Sequence, residues 1–359
     1  AFGEWHGFLC GWCYWLSNLF YFPNLLLAGV AMAGYSLGIS QHKLTVVGAS
    51  LAILWICLIT NLVGLSIGKW VNNLGGLATY AAGAIMIGFG AAAWLHGGSA
   101  TPLHLAPRWE FGSLNFWSQI AFAFGGLELG AVLGGEIREP ARTVPRAAWI
   151  SGVSIAAFYI LGTISLLVLM PPERISILTG LVEAGTAAAA RLGLPWLAGL
   201  LAVLVLAGVA GQLAAWLGAG ARIPLVLGVD RYLPPVFAEV HPRWKTPHWA
   251  ILIQGVVCTV FLLALQAGED LRIAYQLLVD MTVITYFIPF LYLFGAAWRS
   301  GLRRSSFSGL AVTALSILVS LIPPPGTAAV WLFELKLIGG CVVLAGAARM
   351  VFITAKPAA

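Results

Sequence analysis

Ten apolar stretches, each near the roughly 20 residues a helix needs to cross a bilayer, follow one another along this 359-residue chain with only short polar links between them. They cover about 8–37, 44–67, 75–96, 115–136, 147–170, 195–220, 247–267, 272–298, 308–323 and 328–353. Backbone N–H and C=O groups in hydrocarbon must find partners within the protein, which leaves helices or a closed barrel. Runs of this length exceed a barrel strand, so the prediction is a single all-α transmembrane domain over 1–359. Hydrophobic residues make up 60% and charged residues 9% of the chain, and its mean hydropathy is +0.93, which excludes an ordinary soluble domain. The net charge of +6 sits in short loops and forms no basic stripe, so no nucleic-acid partner is expected.

The fourth stretch carries a glutamate, Glu128, three residues after Gly125 and two after Gly126. A carboxylate at bilayer depth costs roughly 2.5–3.5 kcal/mol on insertion scales and usually marks a functional site. Adjacent glycines at the same depth favour unwinding, which is tolerated only where the freed backbone lines a protein cavity. The expectation is a helix broken over 122–127. Its preceding half would offer free carbonyls to an ammonium group, and its following half free N–H groups to a carboxylate. Phe122, Ala123, Phe124, Gly125 and Gly126 would supply this backbone, with an aromatic face for a cation or side chain. An alternative is that the glycines serve close helix packing and that Glu128 is a hydrogen-bonded structural acid.

Lys and Arg set orientation. Alternating the ten spans puts twelve of them, including Arg138, Arg142, Arg146, Arg222 and Arg303, on the side of both termini, against five on the other. Both ends are therefore expected in the cytoplasm. The five cysteines lie mostly in apolar surroundings and imply no disulfide framework. His6, Cys10 and Cys13 fall near one helical face, yet small apolar cysteines are common in buried helices and no metal site is assigned. The chain has no phosphate-binding loop, Gly-x-Ser-x-Gly elbow or zinc motif. No enzyme activity and no cofactor are expected.

Three segments carry a family resemblance. Phe122-Ala-Phe-Gly-Gly-Leu-Glu128 is followed by Glu136-Ile-Arg-Glu-Pro140-Ala-Arg-Thr-Val-Pro145; Gly211-Gln-Leu-Ala-Ala-Trp216 leads to Asp230-Arg-Tyr-Leu-Pro234 and His241-Pro-Arg-Trp-Lys-Thr246-Pro247; Gly11-Trp-Cys-Tyr-Trp15 opens the first span. In this order they resemble the amino acid–polyamine–organocation superfamily of permeases. The resemblance implies a leucine-transporter-like bundle of two inverted five-helix repeats, usually with two further helices. If the glycine-broken span is family helix six, the first span is helix three. The chain, which starts at Ala1 without a methionine, would then lack helices one and two.

The function so implied is secondary transport of an amino acid across the plasma membrane, by proton symport or exchange, with the lipid bilayer as surroundings. Rival readings are a membrane amino-acid sensor and a non-functional fragment. The coupling ion, proton or sodium, stays open, because the third span has no lysine in place of a sodium site; His96 stands at its outer end. The resemblance gives Glu128 a gating or coupling role. Trp216 matches a position where an aromatic closes the pocket, with an interfacial anchor as the other reading. Asn24, beside Pro23, is the polar candidate on the first span, ahead of Asn18. Asp280 is read as an acid bonded to backbone or to Thr282, and Glu334 and Lys336 as snorkelling residues.

Overall fold

The computed structural model describes residues 2–39, 42–102, 114–132, 134–264, 271–323 and 330–355. Within them the regular structure is helical and no strand occurs. The helices are α1 (Glu4–Ser36), α2 (Lys43–Val63), α3 (Leu65–Gly97), α4 (Leu114–Phe122), α5 (Leu129–Val132), α6 (Pro140–Leu169), α7 (Gly180–Arg191), α8 (Trp196–Gly220), α9 (Arg222–Val229), α10 (His248–Ala264), α11 (Leu271–Arg299), α12 (Arg303–Ser320) and α13 (Val330–Thr354). Seven described helices, α8 and α9 counting as one, are long and apolar enough to cross a membrane.

The differences from the ten sequence segments have local causes. The fourth is cut by turns at 123–128, and the described part of α10 is 17 residues long. The two arginines and three serines at the start of α12 lower its hydropathy. Helix α3 starts at Leu65 instead of 75, because only Gly64, at φ 113°, separates it from α2; Lys69, Asn72 and Asn73 therefore sit on a helix and not in a loop. The 12-residue α7 was not expected. Its sequence is too short to span, yet Val182, Ala184, Ala188 and Ala189 are buried against Met86 of α3 and Leu201 of α8.

Helix α1 is the axis of the bundle. Most of its residues are buried, and Phe8, Phe22, Leu26 and Leu27 join Leu54 and Leu58 of α2, Leu213 and Leu217 of α8, Ile251 of α10 and Tyr286 of α11 in one core. Pro23 sits inside α1 without ending it. Proline removes the N–H that would bond the carbonyl four residues earlier. That carbonyl, of Leu19, instead accepts the Cys258 thiol of α10 at 3.7 Å, so a buried cysteine fills a vacancy created by a proline.

The ends of the bundle are tied separately. Arg299 lies 4.5 Å over the Phe2 ring and Arg349 5.1 Å over Trp5, while Thr246 donates to the Leu62 carbonyl at 2.9 Å. The start of α1, the ends of α2, α11 and α13 and the loop before α10 thus share one end. At the other, Ala100 N–H bonds the Val168 carbonyl at 2.9 Å and Ser36 meets Thr186 of α7 at 3.5 Å. By contrast, α6 presents Trp149, Ile150, Val153, Ile160 and Ile164 outward, the surface expected against lipid.

Helices α3 and α8 touch backbone to backbone. A β-carbon built on Gly75 would lie 2.5 Å from the Gly211 α-carbon, whereas one on the adjacent Gly76 meets nothing within 4 Å. Small residues at crossings allow such approach in membranes. Gly75→Ala should therefore destabilise the protein by about 1–3 kcal/mol through overpacking. Gly76→Ala should be neutral or gain up to about 1 kcal/mol from helix propensity. Unfolding in nanodiscs checks the pair.

Candidate functional site

Helix α4 stops at Phe122 and the chain turns tightly before α5 begins at Leu129. Within the turn, Phe124 N–H bonds the Ala121 carbonyl at 3.3 Å and Gly125 N–H bonds the Phe122 carbonyl at 2.7 Å, three residues back in place of the helical four. Gly126 has φ 101°, a conformation that a side chain makes costly. Its N–H therefore points away from the helix axis and needs another acceptor.

Glu128 supplies it. The carboxylate Oε2 accepts the Gly126 N–H at 3.0 Å, a charge-assisted bond closed within two residues. Its Oε1 accepts the Tyr14 hydroxyl of α1 at 2.8 Å. Tyr286 of α11 completes the junction, its hydroxyl oxygen sharing the Gly126 N–H at 3.3 Å. On the other side Tyr159 of α6 donates to the Ala123 carbonyl at 2.8 Å. Three helices therefore hold the interruption, each through a tyrosine hydroxyl.

Aromatic rings enclose it. Trp216 is 5% exposed, and its Cζ2 would lie 3.4 Å from a β-carbon on Gly126. Its ring centroid is 5.4 Å from Tyr21, 6.4 Å from Tyr14 and 6.2 Å from Tyr286. Phe122 meets Tyr21 at 5.6 Å and Tyr286 at 5.1 Å, both edge to face. Such pairs contribute about 0.5–1.5 kcal/mol each beyond area burial. Two cavities meet at Glu128: one of about 390 Å³ runs along Gly3, Gly7, Cys10 and Tyr14 of α1 against α11, and one of about 550 Å³ lies between the break, α11 and α12.

Of the residues singled out in the sequence, Phe122, Gly125, Gly126, Glu128 and Trp216 converge here. Trp216 lies inside the bundle, which removes the interfacial-anchor reading. Ala123 takes part through its carbonyl. Phe124 turns away, its ring edge to face with Tyr159 at 5.9 Å. Asn24 is buried on α1, three residues after Tyr21, and its side-chain oxygen has no hydrogen-bond partner among the described residues. Asn18 donates to the Tyr14 carbonyl at 3.1 Å. Within the described residues the half-helix after the break is one turn, Leu129–Val132, and the polar groups of the break are held by local hydrogen bonds.

Four tyrosines, at 14, 21, 159 and 286, were not identified from the sequence. Tyr14 and Tyr21 lie seven apart, a spacing that puts two hydroxyl-bearing rings on one face of α1. Among the described residues no group of three or more His, Cys, Asp or Glu is arranged to hold a metal. His6 faces the Tyr292 hydroxyl at 3.0 Å. Thr282 donates to the Leu278 carbonyl at 2.6 Å, so it is not the partner of Asp280.

Known proteins are similar to this chain in sequence. The chain is 25% identical to an uncharacterized transporter of Legionella pneumophila over 371 residues, 96% of this chain and 80% of that protein. It is 28% identical to a serine/threonine exchanger of Bacillus subtilis, across 81% of this chain and 66% of that one. It is also 22% identical to a probable agmatine/putrescine antiporter of Lactococcus lactis, across 83% of this chain and 64% of that one. The chain thus spans just under two thirds of the length of the latter two. A family model described as amino acid permease matches residues 1–348, and the chain belongs to that family.

Proposed function

We propose that this chain carries part of the substrate site of a secondary transporter for an amino acid or a related amine, working by exchange across the cell membrane. The observation that carries this reading is the α4–α5 interruption, whose one strained N–H is capped by Glu128 beneath a ring of aromatics. A zwitterion offers the same chemistry as the groups already present: a carboxylate in place of Glu128 at the Gly126 N–H, and an ammonium for the Phe122–Phe124 carbonyls and the rings of Phe122, Trp216 and Tyr21. Substrate and Glu128 then compete for one donor. Arrival of the substrate frees the Glu128 carboxylate, which loosens the Tyr14 hydroxyl and with it the hold of α1 on the break. The exchanger and antiporter among the similar proteins support exchange; proton symport is the second mode.

Exchange is read as counterflow of labelled amino acids into proteoliposomes preloaded with unlabelled ones. Glu128→Gln keeps shape but replaces bonds to a charged group, worth about 1.5–3 kcal/mol, with neutral ones worth about 0.5–1.5. The weaker bonds should cost about 1 kcal/mol of stability, a few degrees in unfolding temperature. Counterflow should fall about tenfold, equivalent to about 1.4 kcal/mol, because the charged group that links substrate arrival to Tyr14 and α1 is lost. Wild-type counterflow in Glu128→Gln would reduce Glu128 to a structural acid.

The orientation belongs to the same proposal. The bundle end that gathers Phe2, Arg299 and Arg349 is the cytoplasmic one, following the charge bias. Single cysteines at Arg142 and Ser300 should react with a membrane-impermeant thiol reagent only from the cytoplasmic face. Labelling of the two from opposite faces would contradict the topology.

A further inference from the structure

Helix α6, long and apolar enough to cross the membrane, begins with charge on the face that continues into lipid. At 3.6 residues per turn, Arg142, Arg146, Trp149, Val153, Ile160 and Ile164 fall on one stripe, and all six are exposed. Along this stripe two guanidinium groups give way to a tryptophan, 75% exposed, and then to aliphatic side chains. That order is a bilayer read from headgroup to acyl chain, since tryptophan settles at the membrane–water interface. Arg142 and Arg146 are one turn apart, close enough for both to reach a single anion.

The helix itself does not account for the pair. A helix favours anions in its first turn and cations in its last, whereas α6 has no acid in its first turn and places its arginines at that end. The acids nearest in sequence, Glu136 and Glu139, both precede the helix. The other side of α6 rests on the α4–α5 interruption. Tyr159 donates to the Ala123 carbonyl at 2.8 Å. A β-carbon on Gly152 would lie 3.9 Å from Leu127, and one on Gly130 3.6 Å from Val144. One helix thus faces lipid along one stripe and braces the break along another.

We propose that Arg142 and Arg146 form a docking surface for the headgroup of an anionic phospholipid, and that the docked lipid steadies α6 against the break. The guanidinium fork matches phosphate oxygens two at a time, and the acyl chains then run along Trp149, Val153 and Ile160. A free phosphate would meet the arginines and leave the apolar continuation of the stripe unused, which is why the occupant is a lipid. Held at its charged end, α6 keeps Tyr159 on the Ala123 carbonyl and Val144 against Gly130. The transport reading enters only in what steadying the break would serve.

The test is quenching of tryptophan fluorescence by lipid, with the full chain in bilayers. Phosphatidylglycerol or phosphatidylcholine, brominated on the acyl chains, is mixed into plain phosphatidylcholine. Trp149 is one of 15 tryptophans, so its signal is read as the difference from the same protein carrying Trp149→Phe. The anionic probe should bind at least about fivefold more tightly than the zwitterionic one, the worth of one arginine at an anionic surface. The preference should vanish in Arg142→Gln/Arg146→Gln and survive in Arg303→Gln/Arg304→Gln. Equal quenching in the wild type, or a preference untouched by the change at 142 and 146, would overturn the docking; the wild type decides even where a variant fails to fold. Loss of the preference on adding glycerol phosphate would give the site to a soluble anion and overturn the lipid. In parallel, amide exchange over 123–128 should be slower in phosphatidylglycerol than in phosphatidylcholine, and equal in the 142/146 variant. Wild-type exchange indifferent to lipid would overturn the steadying of the break. None of these readouts depends on transport, so a failure here leaves the exchange reading standing, and a failed counterflow assay leaves this one standing.

Discussion

The bond between the Glu128 carboxylate and the Gly126 N–H is what allows a helix to be broken inside an apolar bundle. An unwound turn at that depth exposes polar backbone that hydrocarbon cannot solvate. Here the conformation that frees the N–H, φ 101° at Gly126, and the acid that satisfies it lie two residues apart. The exposed donor and its acceptor therefore come as a local unit. The tyrosines of α1, α6 and α11 then fix that unit against three neighbours, so the geometry of the break depends on the positions of whole helices.

Under the proposed function, that dependence is what would let the interruption report ligand. Packed helices shift between discrete arrangements more readily than they deform continuously. A group that displaces Glu128 changes the Tyr14 bond at 2.8 Å, and α1 is the most extensively buried helix of the bundle. Small residues such as Gly75 and Gly211 lock α3 to α8, giving the bundle a rigid frame. Glycine thus serves two purposes in this chain: positive φ at one position and close approach at another.

Much of this was legible in the sequence because bilayer physics restricts the choices. Span length gave the helical class, and the co-location of Gly125, Gly126 and Glu128 pointed to the break. The match of Trp216 to a known motif located the ring that closes over Gly126. The boundaries were less legible: α3 runs ten residues further back than its apolar run, since a helix continues through Lys69, Asn72 and Asn73 once it reaches the membrane edge. The tyrosine partners were hidden because a hydroxyl on an aromatic ring reads as apolar surface, and only long-range packing brings residues 14 and 286 to residue 128. Asp280 was visible, but its partner Asn115 lies 165 positions away, a separation that no local pattern reveals.

The central claim is that substrate takes the place of Glu128 at the Gly126 N–H. A structure determined with a bound amino acid tests it most directly. The account predicts ligand density between the 122–126 backbone and the Trp216 ring, with the substrate carboxylate on the Gly126 N–H and the Glu128 carboxylate moved away from it. Ligand bound elsewhere, with the Glu128–Gly126 bond intact, would contradict it.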